Sequence, residues 1–161
     1  MTETIKAQPL IAPIFEGFGD VIEVQPKPSM MINEGNCARY HDLATLDFFE
    51  ARAGISVFQA QPYAIPHTLR MMERHPLGSQ AFLPLTNEPF LVIVAEDLDG
   101  EPHRPAAFIT NGRQGVNYHR NTWHGVLTPL AGSGLFAVID RIGEGRNLQE
   151  HWFNSDYRVI V

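Results

Sequence analysis

One cysteine, two lysines and no long apolar run are what this sequence of 161 residues has least of. A lone Cys37 excludes an intramolecular disulfide and every zinc or iron–sulfur site built from several thiolates. It suits a reducing compartment, and a cytoplasmic location is expected. The longest hydrophobic stretch, Phe90–Ala95, is far short of the ~18 residues that a membrane span requires. Met1–Leu10 carries Glu3 and Gln8 inside any apolar region, so no signal peptide is expected there. Lys6 and Lys27 both sit in a Pro-rich, irregular stretch, which argues against imine chemistry. There is no run of Lys and Arg, and the net charge of −6 repels a phosphate backbone. Nucleic acid is therefore not an expected partner. No Gly-rich phosphate loop follows a strand, and no organic cofactor is expected.

What is present points to a folded β domain. Hydrophobic residues make up 44% and charged residues 19%, the latter below the usual ~25% and far from a disordered composition. Thirteen Gly and twelve Pro imply many turns, and the length suits one domain over residues 1–161. The cations are almost all Arg, whose planar fork matches carboxylates.

The first third reads as loop-like, with a helical turn over Ile14–Gly19 and a strand over Val21–Val24. Apolar Leu43, Leu46 and either Phe49 or Phe48 at helical spacing predict a short helix over Asp42–Arg52. From Gly54 onward strands are predicted around Ile55 and Val57, then over Thr68–Arg74, Gln80–Leu85, Phe90–Ala95 and Ala106–Ile109. Further strands follow over Gly115–His119, Gly125–Leu130, Leu135–Asp140 and Tyr157–Val161. Phe90–Ala95 is apolar throughout, as for a strand buried on both faces. Turn formers such as Asp99-Gly100, Asn111-Gly112 and Gly132-Ser133-Gly134 recur about every ten residues, the spacing of a sandwich or barrel.

Two polar segments break this apolar pattern. One is Glu73-Arg74-His75-Pro76-Leu77-Gly78-Ser79-Gln80; the other is Gly115-Val116-Asn117-Tyr118-His119 with Trp123-His124. Histidines leaving adjacent strands at a barrel mouth can converge on a ligand. The two segments resemble degenerate versions of the two cupin motifs, with one first-motif histidine missing and Gln80 where a carboxylate would stand. Together with Arg39-Tyr40-His41-Asp42-Leu43, Phe108-Ile109-Thr110-Asn111-Gly112 and Ile139-Asp140-Arg141, they resemble the ureidoglycolate lyase family over about residues 18–141.

The resemblance implies a mainly β fold, a cupin-like (double-stranded β-helix or jelly-roll) antiparallel β-barrel with a few short helices. It implies a homodimeric, cytoplasmic lyase that splits (S)-ureidoglycolate into glyoxylate and urea in allantoin (purine) degradation. A divalent metal, nickel by family description, is implied as well. Two alternatives stand beside this reading: an amidohydrolase releasing ammonia from the same substrate, and a non-catalytic module that binds a small organic acid.

The residue types suit the elimination. The substrate carries a hydroxyl and a urea nitrogen on one carbon beside a carboxylate. Its cleavage needs a base, an acid and a clamp for the carboxylate. Histidine titrates nearest neutrality, so His124, His119 and His75 are the candidate catalytic groups, with Tyr118 as a hydroxyl donor. Arg74 or Arg39 could grip the carboxylate bidentately, with Gln80 as a hydrogen-bonding partner and Trp123 as a pocket wall. As metal ligands His75 and His124 are the better pair and Gln80 a poorer third, because an amide oxygen binds more weakly than a carboxylate. A weakly bound divalent metal is the expectation. Asp140 and Arg141 receive no catalytic role.

Overall fold

The computed structural model describes residues 2–161, in which regular structure is almost entirely β. Met1, part of the stretch read above as carrying no signal peptide, lies outside the described residues. Among the described residues no helix is long and apolar enough to cross a membrane.

The larger sheet runs in the order Glu3–Lys6, Gln149–Ile160, His67–Arg74, Trp123–His124, Phe90–Ala95, Ala106–Ile109 and Gln8–Pro9; Thr128–Pro129 also pairs with Phe90–Ala95. The second runs Gly19–Ile22, Gly115–Tyr118, Gln80–Pro84, Leu135–Ile142 and Arg52–Gln59. A short hairpin of Met30–Ile32 and Cys37–Arg39 projects as an arm, and Asp97–Leu98 pairs with Glu101–Pro102. Together the sheets form a nearly closed barrel, the cupin-like β architecture expected from the sequence.

Alternation along the strands explains how the barrel fills. Phe90, Val92 and Val94 point inward and meet Phe82, Val116, Phe136 and Val138 of the second sheet. Leu91, Ile93 and Ala95 point outward into a second buried cluster with Leu69, Met72, Trp123 and Val159. The long strand Gln149–Ile160 breaks register between Trp152 and Tyr157, and its Phe153 and Tyr157 pack on that outer cluster. Phe90–Ala95 is thus buried on both faces, as its unbroken apolar run requires.

Four local readings are corrected. No helix forms over Asp42–Arg52; instead Phe48 bridges Gly78, and the Phe49 N–H donates to the Leu77 carbonyl at 3.0 Å. Asp47 and Ser79 add two more bonds, Ser79 N–H to the Asp47 carbonyl at 2.8 Å and Asp47 N–H to Ser79 Oγ at 2.9 Å. Bonds to the connection Leu77–Ser79 have replaced those of a helix, a tertiary override of a weak periodicity. Of the expected strand Gly125–Leu130 only Thr128–Pro129 forms, with Trp123–His124 a separate short strand before it, and the helical turn falls on Ala12–Phe15 rather than Ile14–Gly19. The loop-like first third in fact supplies two strands that pair parallel with distant segments, Glu3–Lys6 with Tyr157–Ile160 and Gln8–Pro9 with Phe108–Ile109.

Candidate metal and catalytic site

Strand register assembles the site. His124 lies opposite Glu73, and Tyr118 lies opposite Gln80. Residues two apart on a strand share a face, so Glu73 and His75 project together into the barrel while Arg74 projects outward. Gln80 shares its face with Phe82 and Asp140 shares its face with Val138, both of them core residues. The polar groups therefore occupy one end of an otherwise apolar interior.

The geometry is that of a cation site. One ligand atom from each of Glu73, His75 and His124 lies within 4.8 Å of the others. His75 Nδ1 is 2.7 Å from the Asn147 carbonyl oxygen, an acceptor only, so this nitrogen carries the proton. His75 Nε2 then faces Gln80 Oε1 at 3.1 Å, with Glu73 Oε1 at 4.0 Å. His124 repeats the arrangement: Nδ1–H donates to the Gly125 carbonyl at 2.9 Å, while Nε2 is buried without a hydrogen-bond partner. Histidine ligands are held this way, one nitrogen fixed by a carbonyl and the other left for the metal. An orphaned buried nitrogen and two acceptors face to face each cost free energy, and one cation relieves both. A divalent metal fits this donor set.

Electrostatics separate the roles of the groups. Burial, reinforced by neighbouring His75, pushes the His124 imidazole down to about 3, against a weaker opposing hydrogen bond from Gly125. His124 is neutral across the physiological range. Burial also raises Glu73, helped by Glu150 and opposed by His75. The Tyr118 phenol is raised by its complete burial and by Glu73, so it keeps its proton. Its ring stacks on His124 with centroids 4.3 Å apart and planes 4° apart.

His124, His75, Gln80 and Tyr118 are brought together; the other expected residues are placed elsewhere. His119 lies just past the end of the strand Gly115–Tyr118, half-exposed, with Nε2 3.2 Å from Asp20 Oδ1. Arg74 is committed: Nη1 to Asp97 Oδ1 at 2.6 Å, Nε to Gln149 Oε1 at 2.6 Å, and its guanidinium 4.3 Å above Trp123. Trp123 donates Nε1–H to Asp97 Oδ1 at 2.8 Å and packs in the outer cluster, apart from the site. That bond, ahead of those from Gly100 and Arg74, holds the Asp97 carboxyl below its ordinary range. Arg39 sits on the exposed arm.

Three residues escaped the sequence reading. Glu73 restores the third strong ligand and was legible, since Glu73-Arg74-His75 has the i, i+2 spacing that puts both outer residues on one face. Asn147 grips the His75 segment twice, through its carbonyl and by accepting the Leu77 N–H at Oδ1, 2.8 Å away; no sequence pattern announces a backbone carbonyl. Arg146 beside it reaches only the Leu148 carbonyl, at 3.3 Å. It lines a cleft of about 480 Å³ with Pro76, Trp123 and Gln149.

Comparison with known proteins covers nearly the whole chain. A family model described as ureidoglycolate lyase matches residues 2–160. The chain is 58% identical over 150 residues to a protein of Rhodobacter capsulatus named ureidoglycolate lyase, covering 92% of this chain and 93% of that one. It is 54% identical over 154 residues to ureidoglycolate lyase 2 of Rhizobium meliloti, covering 94% of each. A ureidoglycolate lyase of Chelativorans sp. is 53% identical over 157 residues, covering 96% of this chain and 95% of the relative.

Proposed function

The chain belongs to the ureidoglycolate lyase family, and from that membership we propose that it cleaves (S)-ureidoglycolate to glyoxylate and urea. The carrying observation is the convergence of Glu73, His75 and His124 inside the barrel beneath a protonated Tyr118. Glu73, His75 and His124, with Gln80 Oε1, would hold a divalent cation, and nickel is the ion that the family resemblance suggests. Such a cation supplies positive charge that polarises an oxygen ligand without proton transfer. Imidazole and carboxylate donors together suit a first-row transition metal.

The chain's own residues carry the rest. His124, neutral at working pH, offers a lone pair and cannot deliver a proton. Cleavage breaks the C–N bond as the hydroxyl becomes the aldehyde carbonyl, and the hydroxyl proton passes to the departing ureido nitrogen; Tyr118, holding its own proton firmly, would position the ureido group by a hydrogen bond. His75, fixed by Asn147, faces the site with Nε2. Arg74 is already paired, Arg39 stands on the arm and Arg146 lines the cleft beside Trp123, so the substrate carboxylate is assigned to none of them. His119 keeps its pair with Asp20 and takes no part in this scheme.

The same reading makes residues 1–161 one domain, working in the cytoplasm as a homodimer in allantoin breakdown. The outer face of the five-stranded sheet supports pairing of two copies. On its edge strand Ile55 is 79% and Val57 66% exposed, next to outward-facing Ala137 and Leu83. An exposed apolar edge strand is ordinarily covered.

The test is a product assay on the purified chain with (S)-ureidoglycolate. Urea and glyoxylate in equal amounts are expected. Turnover should fall after dialysis against a chelator and recover with added nickel. Ammonia in place of urea would make the chain an amidohydrolase, and absence of turnover would leave a binding module; either result overturns the proposal.

A further inference from the structure

Asp140 has no ion pair among the described residues. Its neighbour Arg141 is on the opposite face of the strand, its Nε donating to the Phe49 carbonyl at 2.9 Å. The register Val138↔Phe82 and Ile139↔Ala81 brings Asp140 beside Gln80, and Gln80 Nε2 donates to Asp140 Oδ2 at 3.2 Å. A side-chain amide has one donor end and one acceptor end. Asp140, as a carboxylate, accepts only, so it selects the donor end of Gln80. The acceptor end, Oε1, is left 3.1 Å from His75 Nε2. Gln80 is 7% exposed, so water does not compete freely for either end.

With its proton on Nδ1, His75 does not favour that orientation. His75 Nε2, bearing a lone pair, would prefer the amide N–H; an unanchored Gln80 would turn over and satisfy it. The flipped amide would then present N–H groups, which bind no cation, where the oxygen now stands. We propose that Asp140 is a positioning residue: its carboxylate locks the Gln80 amide with Oε1 turned into the Glu73–His75–His124 cluster, making Gln80 a cation ligand. The inference rests on the metal reading given above. The carboxylate also draws on the amide N–H and so enriches Oε1 in electron density, the direction in which a weak amide ligand gains.

The experiment is direct nickel titration of the full chain after chelator dialysis, with no substrate. Hydrogen bonds to charged groups are worth ~1.5–3 kcal/mol, so Asp140→Ala should weaken nickel binding by roughly 10- to 100-fold. Asp140→Asn has nearly the same shape, but its amide both donates and accepts, so it no longer selects the donor end of Gln80 and should weaken nickel binding nearly as much as Asp140→Ala, a loss that a merely packing role would not give. Gln80→Ala should weaken binding as much as Asp140→Ala, and the double variant should be no worse than Gln80→Ala alone, because Asp140 acts only through the amide. If Asp140→Ala does not fold, Gln80→Glu with Asp140→Asn decides. The pair exchanges carboxylate and amide while keeping the hydrogen bond, and nickel affinity should equal or exceed that of the wild type.

Wild-type affinity in Asp140→Ala, additive losses in the double variant, or loss of binding in the exchanged pair would each overturn the inference. A wild-type chain that releases urea yet binds no nickel overturns this inference and leaves the lyase reading standing. Nickel binding with the expected variant pattern but no urea release supports the inference and removes the lyase reading.

Discussion

Acidification should destabilise this protein through one buried ring. His124 is fully enclosed, and its imidazole is held down to about 3 in the folded chain against 6.5 when unfolded, first by burial and then by His75. Between those values the unfolded chain binds a proton that the folded chain refuses. Stability therefore rises with pH through this window: the contribution is complete above the unfolded value and is lost as pH falls toward the folded one. Well inside the window one such proton is worth ~1.4 kcal/mol per pH unit. Integrated from about pH 7 to about pH 5, the loss is roughly 2 kcal/mol. Other groups act over the same range. His67, also lowered by burial, adds to the loss, whereas Glu73, raised mainly by burial, takes up its proton early and opposes it. The contribution of His124 is thus isolated by comparing the wild type with His124→Asn, which cannot titrate. Urea unfolding at both pH values with chelator present gives two stabilities for each protein. The wild type should lose about 2 kcal/mol more than the variant on acidification. Equal losses in the two proteins would refute the claim that His124 is buried neutral.

Two further outcomes are expected. Gly134 has φ of +62°, and a Cβ there would run into the carbonyl oxygen of Ala60, so Gly134→Ala should cost at least ~2 kcal/mol; thermal unfolding checks it. Val57→Asp should leave the fold intact, since that side chain is 66% exposed, but should reduce the mass in light scattering to that of one chain; a persistent dimer would place the contact on another face.

Much of the barrel was legible because burial on two faces and on one face leave different imprints. The apolar run Phe90–Ala95 fits a strand enclosed on both sides, which it is. Asp99-Gly100 was readable as a turn, and its residues hold φ of +52° and +90°. His75, His124, Gln80 and Tyr118 could be grouped because each follows from a strand that ends at the same rim. What stayed hidden depends on partners far along the chain. Gln8–Pro9 is too short to carry a pattern and becomes a strand only beside Phe108–Ile109. Asp42–Arg52 carried a helical spacing that bonds to Leu77 and Ser79 outweighed. Glu73 lies two residues before His75, and only the strand conformation, which sends adjacent side chains to opposite faces, puts the two together and Arg74 apart. Asp140 revealed its partner only through the register of two strands.

The parallel pairing of Glu3–Lys6 with Tyr157–Ile160 has a consequence for the order in which the molecule is built. During synthesis the first strand emerges when its partner is still some 150 residues from being made, so it must wait unpaired. Gln8–Pro9 waits similarly for Phe108–Ile109. Pairings of such separation carry a high loop-closure cost and slow the search for the native state. The larger sheet is therefore completed late, whereas its antiparallel neighbours Phe90–Ala95 and Ala106–Ile109, joined by a short connection, can associate earlier. Until the last strand arrives, Leu91, Ile93 and Met72 lack part of their cover, and the nascent chain presents a sticky flank that a chaperone would recognise.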